Sequence, residues 1–140
     1  MTDQQIIDEI NRAKQFKQLG QFSMAHSILQ KLEQKLEPVD DERLMLAHVY
    51  KARGKIYYIE GDDENCYIKC LLSAKIFAIH EDQAEAFNVA GTIGALHPDF
   101  SPHRKTYANS LQGIGKFTNQ EVAISMAQVG IATLQKFFGQ

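Results

Sequence analysis

A stretch of nine residues recurs in this 140-residue chain, displaced by 41 positions. Residues 12–20 read RAKQFKQLG and residues 53–61 read RGKIYYIEG, so both follow the pattern R-[AG]-K-x-[FY]-x-x-x-G. An antiparallel pair of helices needs these residue types. The small residue lets the second helix approach, the aromatic residue fills the space where the pair opens, and the glycine ends the first helix and reverses the chain. The repeat therefore predicts two helical hairpins in tandem.

Apolar residues at helical spacing place a helix on each side of both glycines. Before these helices stand residues whose side chains accept hydrogen bonds from free backbone amides. The expected caps are Thr2 with Gln5 for the first helix, Asp40 or Asp41 for the third and Asp62 for the fourth, which spans 65–79. A fifth helix is expected over about 82–96. Ser101 and Pro102 begin a short sixth helix, and a last one runs over 118–138.

The order of small, aromatic, glycine and small positions resembles the tetratricopeptide repeat. The matching residues are Ala13, Phe16, Gly20, Phe22, Ala25 and Leu29 in the first unit, and Gly54, Tyr57, Gly61, Cys66 and Cys70 in the second. The tryptophan of the family is absent, since Glu9 and Tyr50 stand in its place, and its final proline is shifted to Pro38 or missing. The period of 41 exceeds the usual length of about 34, which implies longer helices or a longer joint around residues 37–43.

The resemblance implies an all-α fold in which antiparallel hairpins stack as a short right-handed superhelix of about six to seven helices. Residues 1–140 then form a single domain. Its parts are repeat 1 at 6–38, repeat 2 at 41–79, a degenerate third helix pair at 82–116 and a C-terminal helix at 118–138. The alternative is a generic array of helical hairpins that uses the same packing.

In tetratricopeptide folds the first helix of each pair lines a concave groove. The resemblance implies that this groove presents Lys14, Lys17, His48, Lys51, Lys55 and Tyr58. A basic groove with an aromatic residue suits an acidic peptide segment. The expected function is therefore that of a protein-binding adaptor or a chaperone-like module. The alternative interpretation is that these lysines form the solvated face of amphipathic helices.

The C-terminal helix carries unusually little charge, because no Asp, Glu, Lys or Arg lies between Glu121 and Lys136. Such a helix is poorly suited to having a fully solvated face. An apolar stripe along it comprises Ile124, Ala127, Ile131, Leu134 and Phe138. The stripe predicts either a homodimer interface or a helix enclosed by the rest of the monomer. A structural homodimer without a peptide ligand is accordingly the alternative function.

Several classes of function have no support in the residues. The net charge of -2 provides no field for nucleic acid, and no signal peptide or membrane-spanning run is visible, so a cytoplasmic protein is expected. His97, Asp99 and His103 match no zinc or triad spacing. His26 and His80 are expected to have no partners, and the two cysteines to be small buried apolar groups. We therefore expect no enzyme activity, catalytic residue, metal or cofactor.

Overall fold

The computed structural model describes residues 1–94, apart from some side chains in the last helix, and this part of the chain forms five α-helices and no strand. They are α1 (Asp3–Gln18), α2 (Phe22–Leu36), α3 (Leu44–Glu60), α4 (Asp63–Ile79) and α5 (Gln83–Gly94). The prediction of an all-helical fold is confirmed over these residues. The predicted sixth and last helices lie outside the described residues, as do the final residues of the third pair.

Of the three helix caps predicted within the described residues, two are confirmed. The Thr2 hydroxyl accepts a hydrogen bond from the backbone amide of Gln5 at 3.2 Å, and the Gln5 side chain accepts one from the Thr2 amide at 2.8 Å. The Asp62 carboxylate accepts a hydrogen bond from the amide of Asn65 at 3.2 Å, and α4 begins at Asp63. Both caps satisfy amides that have no partner inside their helix.

The predicted cap of the third helix is wrong. Neither Asp40 nor Asp41 caps α3, which begins at Leu44 after Arg43 and has no side-chain cap. The Asp40 carboxylate instead accepts a hydrogen bond from the amide of Glu42 at 3.0 Å. An aspartate side chain readily closes such a local turn on its own backbone, and this turn delays the start of the helix.

The same chain reversal follows α1 and α3. Gly20 and Gly61 have φ angles of 75° and 77°, in the left-handed region that favours glycine. The amide after each glycine donates to the carbonyl of the aromatic residue of the repeat, Phe16 or Tyr57, at 2.9 Å in both cases. The turn after α4 uses the same conformation at Glu81, with a φ of 58°. The recurrence in the sequence is therefore also a recurrence of backbone geometry.

The five helices pack in two layers. Each helix contacts the next, and α3 also contacts both α1 and α5, so the odd-numbered helices lie side by side. The even-numbered helices pack against them through a core whose largest fully buried side chains include Tyr67, Phe77, Ile6, Leu29, Leu46, Ile56 and Leu71. This arrangement exposes the surface between α1 and α3 that the lysines were predicted to line.

Helices α3 and α4 approach each other closely at Gly54. A Cβ atom placed there would lie 2.8 Å from the Sγ of Cys70, a separation that is too short for an ordinary contact. Cys66 and Cys70 are free thiols in the core, as the sequence predicted. A hydrogen bond with Cys66 and burial raise the pKa of the Cys70 thiol. The glycine of the repeat motif thus makes room for a neighbouring helix.

The joint between the two repeats explains part of the long period. Seven residues, 37–43, connect α2 to α3, whereas three residues connect α4 to α5. Glu33 on α2 connects the two repeats outside this joint, because its carboxylate forms ion pairs with Arg53 on α3 and with Lys69 on α4, the latter at 3.1 Å. Glu33 is only 4% exposed. The ion pair at Arg53 therefore connects the two repeats across a buried contact.

The two histidines that were expected to lack partners both have them. The imidazole of His26 pairs with the carboxylate of Glu60 and lies 3.4 Å from the Nε of Arg53. The His80 ring lies 2.6 Å from the backbone carbonyl of Glu42. These contacts join residues 27 to 38 positions apart, so no spacing along a single helix could have revealed them.

Candidate functional site

Two adjoining cavities lie between α1 and α3. The first has a volume of about 210 Å³ and is lined by Ile7, Ile10, Asn11, Lys14, Met45, His48, Lys51 and Ala52. The second has a volume of about 270 Å³ and is lined by Ala13, Lys14, Lys17, Leu29, Lys51, Ala52, Lys55 and Ile56. They share Lys14, Lys51 and Ala52 and therefore form one groove. We call the two cavities together the lysine groove and the second cavity alone the lysine pocket.

The structure brings five of the six predicted groove residues together. Lys14 and Lys17 reach the lysine groove from α1, and His48, Lys51 and Lys55 reach it from α3. The three α3 residues lie on one face of the helix because they are spaced by three and four positions. Tyr58 lines neither cavity. It lies in the last turn of α3 with 43% of its surface exposed.

The floor of the lysine groove is apolar. Ile10, Ala13, Leu29, Ala52 and Ile56 line it and are each at most 8% exposed. The lysine stems can lie along this apolar surface while their ammonium groups stay near water. A peptide segment in the groove would meet apolar contacts below it and positive charge at its edges.

Three of the four lysines have no acidic partner among the described residues. Within residues 1–94, neither Lys14, Lys17 nor Lys55 forms a salt bridge with Asp or Glu. Burial lowers the pKa of Lys55, and the charges of Lys51 and Lys17 lower it further. The carboxylate of Glu85 offsets part of this effect. The positive potential that disfavours the protonated form of Lys55 favours an anion.

The fourth lysine has a partner that sequence reasoning missed. Lys51 donates a hydrogen bond to the carboxylate of Glu85, which lies in the first turn of α5. Burial alone would raise the pKa of Glu85, but the hydrogen bond and charge of Lys51 outweigh it and hold this pKa below its usual value. The two residues stand 34 positions apart, and only the packing of α5 beside α3 brings them together.

His48 lies near both lysines and carboxylates at the lysine groove. Its ring contacts the ring of Phe77 edge-on, with the centroids 5.0 Å apart. Burial and the charge of Lys51 lower the pKa of His48, while the carboxylates of Glu85 and Asp82 partly offset this effect. The pKa of His48 therefore depends on the charges in and around the lysine groove.

A larger cavity of about 600 Å³ lies on the outer face of α1 and α2. Polar and charged side chains make up much of its lining, as on an ordinary solvated surface. Its lining includes Gln5 and Asp8. The residues 41 positions later are Leu46 and Val49, both fully buried. At these two equivalent positions the first repeat has polar residues that face the cavity, whereas the second repeat has apolar residues in the core. The cavity contains acids and bases together, including the Arg12–Glu9 ion pair at 3.5 Å.

The remaining predicted interface residues fall outside the described part of the chain. They are Ile124, Ala127, Ile131, Leu134 and Phe138. Within residues 1–94, no group of three or more His, Cys, Asp or Glu side chains is placed to hold a metal ion. No helix in that same range is long and apolar enough to cross a membrane.

Comparisons with known proteins leave the chain without an identified relative: no protein-family model, no curated protein and no solved structure matches it.

Proposed function

We propose that this protein is a tetratricopeptide-like module that binds an acidic segment of another protein in the lysine groove. It would act in the cytoplasm as an adaptor or chaperone-like protein and would have no catalytic residue or cofactor. The described helices would form part of a short right-handed array of six to seven helices within one domain. The recurring glycine turns and the side-by-side odd-numbered helices support this proposal.

The observation that carries the proposal is the set of unpaired ammonium groups around one groove. Lys14, Lys17 and Lys55 meet there without an acidic partner among the described residues. Bringing like charges together costs free energy, and an anionic ligand offsets that cost when it binds. An extended segment with several Asp or Glu residues supplies such charge along the length of the groove.

Affinity capture from the native host tests this proposal with matched variants. The groove variant carries Lys14→Glu and Lys55→Glu, which leave Lys51 to hold Glu85. The control carries Lys31→Glu and Lys35→Glu, the same change in charge on exposed lysines of α2 that line a different cavity. We expect the control to retain the partners of the wild-type protein and the groove variant to lose them, with unchanged helical content. Equal capture by both variants would show that the groove assignment is wrong.

A second candidate function rests on the uncharged stretch between Glu121 and Lys136. In that case the C-terminal helix would join two copies of the chain into a structural homodimer without a peptide ligand. Sedimentation velocity distinguishes the two functions. A stable dimer that dissociates when Ile131→Asp or Phe138→Asp is introduced, and that binds no acidic peptide, would favour the homodimer. A monomer that binds acidic peptide would exclude it.

A further inference from the structure

We propose that the lysine pocket binds a phosphate monoester, so that the ligand of the lysine groove is an acidic segment bearing a phosphorylated side chain. This inference rests on the proposed function and specifies its ligand. It starts from the lining of the pocket, in which every side chain is either lysine or apolar.

The lining admits only one class of polar group. The four ammonium groups are donors and none of the lining side chains is an acceptor, because the other members are Ala13, Leu29, Ala52 and Ile56. The lining therefore favours a ligand group that accepts hydrogen bonds and carries negative charge. A hydroxyl or an amide oxygen can accept from such donors but carries no charge to offset theirs, and a cation would be repelled.

The size of the pocket favours a single group over a whole small molecule. Its volume of about 270 Å³ lies just below the range of about 300–1,000 Å³ that is typical of sites for drug-sized ligands. It opens into the first cavity, with which it shares Lys14, Lys51 and Ala52. A phosphorylated side chain can occupy the pocket while its neighbours in the segment lie along Ile10 and Met45 in the first cavity.

The number of available lysines distinguishes a phosphate from a carboxylate. Glu85 already engages Lys51, which leaves Lys14, Lys17 and Lys55 for the ligand. A carboxylate has two oxygens and one charge in a plane, the shape that the fork of an arginine matches. A phosphate monoester has three terminal oxygens and a charge of about −1.5 to −2 near pH 7. Three compact ammonium groups around one pocket fit that ligand better.

The lowered pKa of Lys55 agrees with this arrangement. Burial and the charges of Lys51 and Lys17 disfavour its protonated form. A dianion among the same lysines would raise the pKa of Lys55 again, since opposite charge favours ionisation. The bound phosphate would in turn lose its last proton more readily than it does in water.

Three peptides of one sequence test the proposal on the full chain: Glu-Glu-Ser-Glu-Glu, its phosphoserine form, and a form with glutamate in place of the serine. Isothermal titration should show the phosphopeptide binding about ten-fold more tightly than either of the others, as expected for additional charge-assisted hydrogen bonds. In a ³¹P NMR titration, the bound phosphate should have a second pKa below its free value of about 6.

Two single variants localise the effect. Lys17→Gln and Lys55→Gln should each reduce the affinity for the phosphopeptide about ten-fold, whereas Lys31→Gln on the outer face of α2 should leave it unchanged. Circular dichroism verifies that each variant keeps its helical content. Equal losses with Lys31→Gln would show that the effect is not local to the pocket and would overturn the proposal.

The outcomes separate this inference from the proposed function. If the glutamate peptide binds as tightly as the phosphopeptide, the phosphate assignment is wrong and the acidic-segment function stands. If no peptide binds, both are wrong. Titration with inorganic phosphate tests whether the pocket selects a phosphorylated side chain or binds free phosphate equally well. If inorganic phosphate binds much more weakly than the phosphopeptide, the ligand is a phosphorylated segment. Equal affinities would show that the peptide segment is not part of what the pocket recognises.

Discussion

Lys51 on α3 and Glu85 on α5 are hydrogen-bonded at the edge of the lysine groove. The contact places one carboxylate of the chain beside Lys51 and near the charge of Lys55, although Glu85 itself lines neither cavity. Glu85 therefore occupies a position that an acidic ligand would also favour. The pair further connects α5 to α3, so a ligand that competes for Lys51 would act on the packing of α5.

Replacing Glu85 with glutamine should strengthen binding of an acidic peptide. The change frees the charge of Lys51 and removes a like charge from the groove, and we expect an affinity gain of about three- to ten-fold. Fluorescence anisotropy with a labelled glutamate peptide measures this gain. Glu64→Gln on α4 serves as the control, because it removes the same charge from a side chain that forms no ion pair with a groove lysine among the described residues. If both variants bind alike, Glu85 does not compete with the ligand.

His48 should make the stability of the protein depend on pH below about 6.5. Its folded-state pKa lies below the usual 6.5 because burial and Lys51 disfavour its charge. As the pH falls through 6.5, the unfolded chain therefore binds the proton first, and the free energy of unfolding decreases. Urea unfolding between pH 7.5 and about 5 should show a shallower decrease for His48→Gln than for wild type. Equal slopes would contradict this assignment.

The same histidine reports ligand binding. A bound anion favours the imidazolium form, so an acidic peptide should raise the pKa of His48. The shift can be followed in the ring proton resonances during an NMR titration.

Glu85 affects stability in a separate range of pH. Its folded-state pKa lies below the usual 4.5, so its stabilising contribution is lost only as the pH falls below 4.5 and through the folded-state pKa.

Gly54→Ala should destabilise the protein although alanine favours helices. The new Cβ would lie 2.8 Å from the Sγ of Cys70, and overpacking of this kind costs about 1–3 kcal/mol. The helix preference of alanine over glycine returns up to about 1 kcal/mol. Chemical denaturation should show a net loss for the single variant. In a Cys70→Ala background the sulfur is absent, and the same Gly54→Ala change should become neutral or stabilising.

Glu33→Ala should cost about 3–5 kcal/mol of stability, because it leaves the charges of Arg53 and Lys69 without their carboxylate partner at a buried contact between the repeats. Glu9→Ala is the matched control, since Glu9 pairs with Arg12 at the surface. Exposed pairs contribute about 0–1 kcal/mol. Similar losses for both variants in urea titrations would show that Glu33 does not hold the repeats together.

The sequence predicted the features that depend on short spacing. The glycine turns, the Thr2 and Asp62 caps and the close approach at Gly54 all follow from residues within one hairpin. The grouping of the lysines was predicted from their spacing along one face of α3 and from the equivalent face of α1. The failed cap at Asp40 shows the limit of such reasoning, because an aspartate suits a turn as well as a helix start.

Features that depend on packing between helices could not be predicted in this way. The ion pair between Glu33 and Arg53 and the hydrogen bond between Lys51 and Glu85 join residues 20 and 34 positions apart. Their geometry depends on how α2 and α5 lie against α3. The partners of His26 escaped prediction for the same reason. No periodicity within a single helix encodes these distances.

The most direct test of the lysine groove is the affinity of the full chain for a fluorescent peptide of six glutamates, measured by anisotropy at low and at moderate salt. A peptide of six lysines is the control ligand, and the variant carrying Lys14→Glu and Lys55→Glu is the control protein. We predict saturable binding of the glutamate peptide that weakens with salt, loss of that binding in the variant, and no binding of the lysine peptide. Binding of the glutamate peptide that survives both charge reversals would contradict the account.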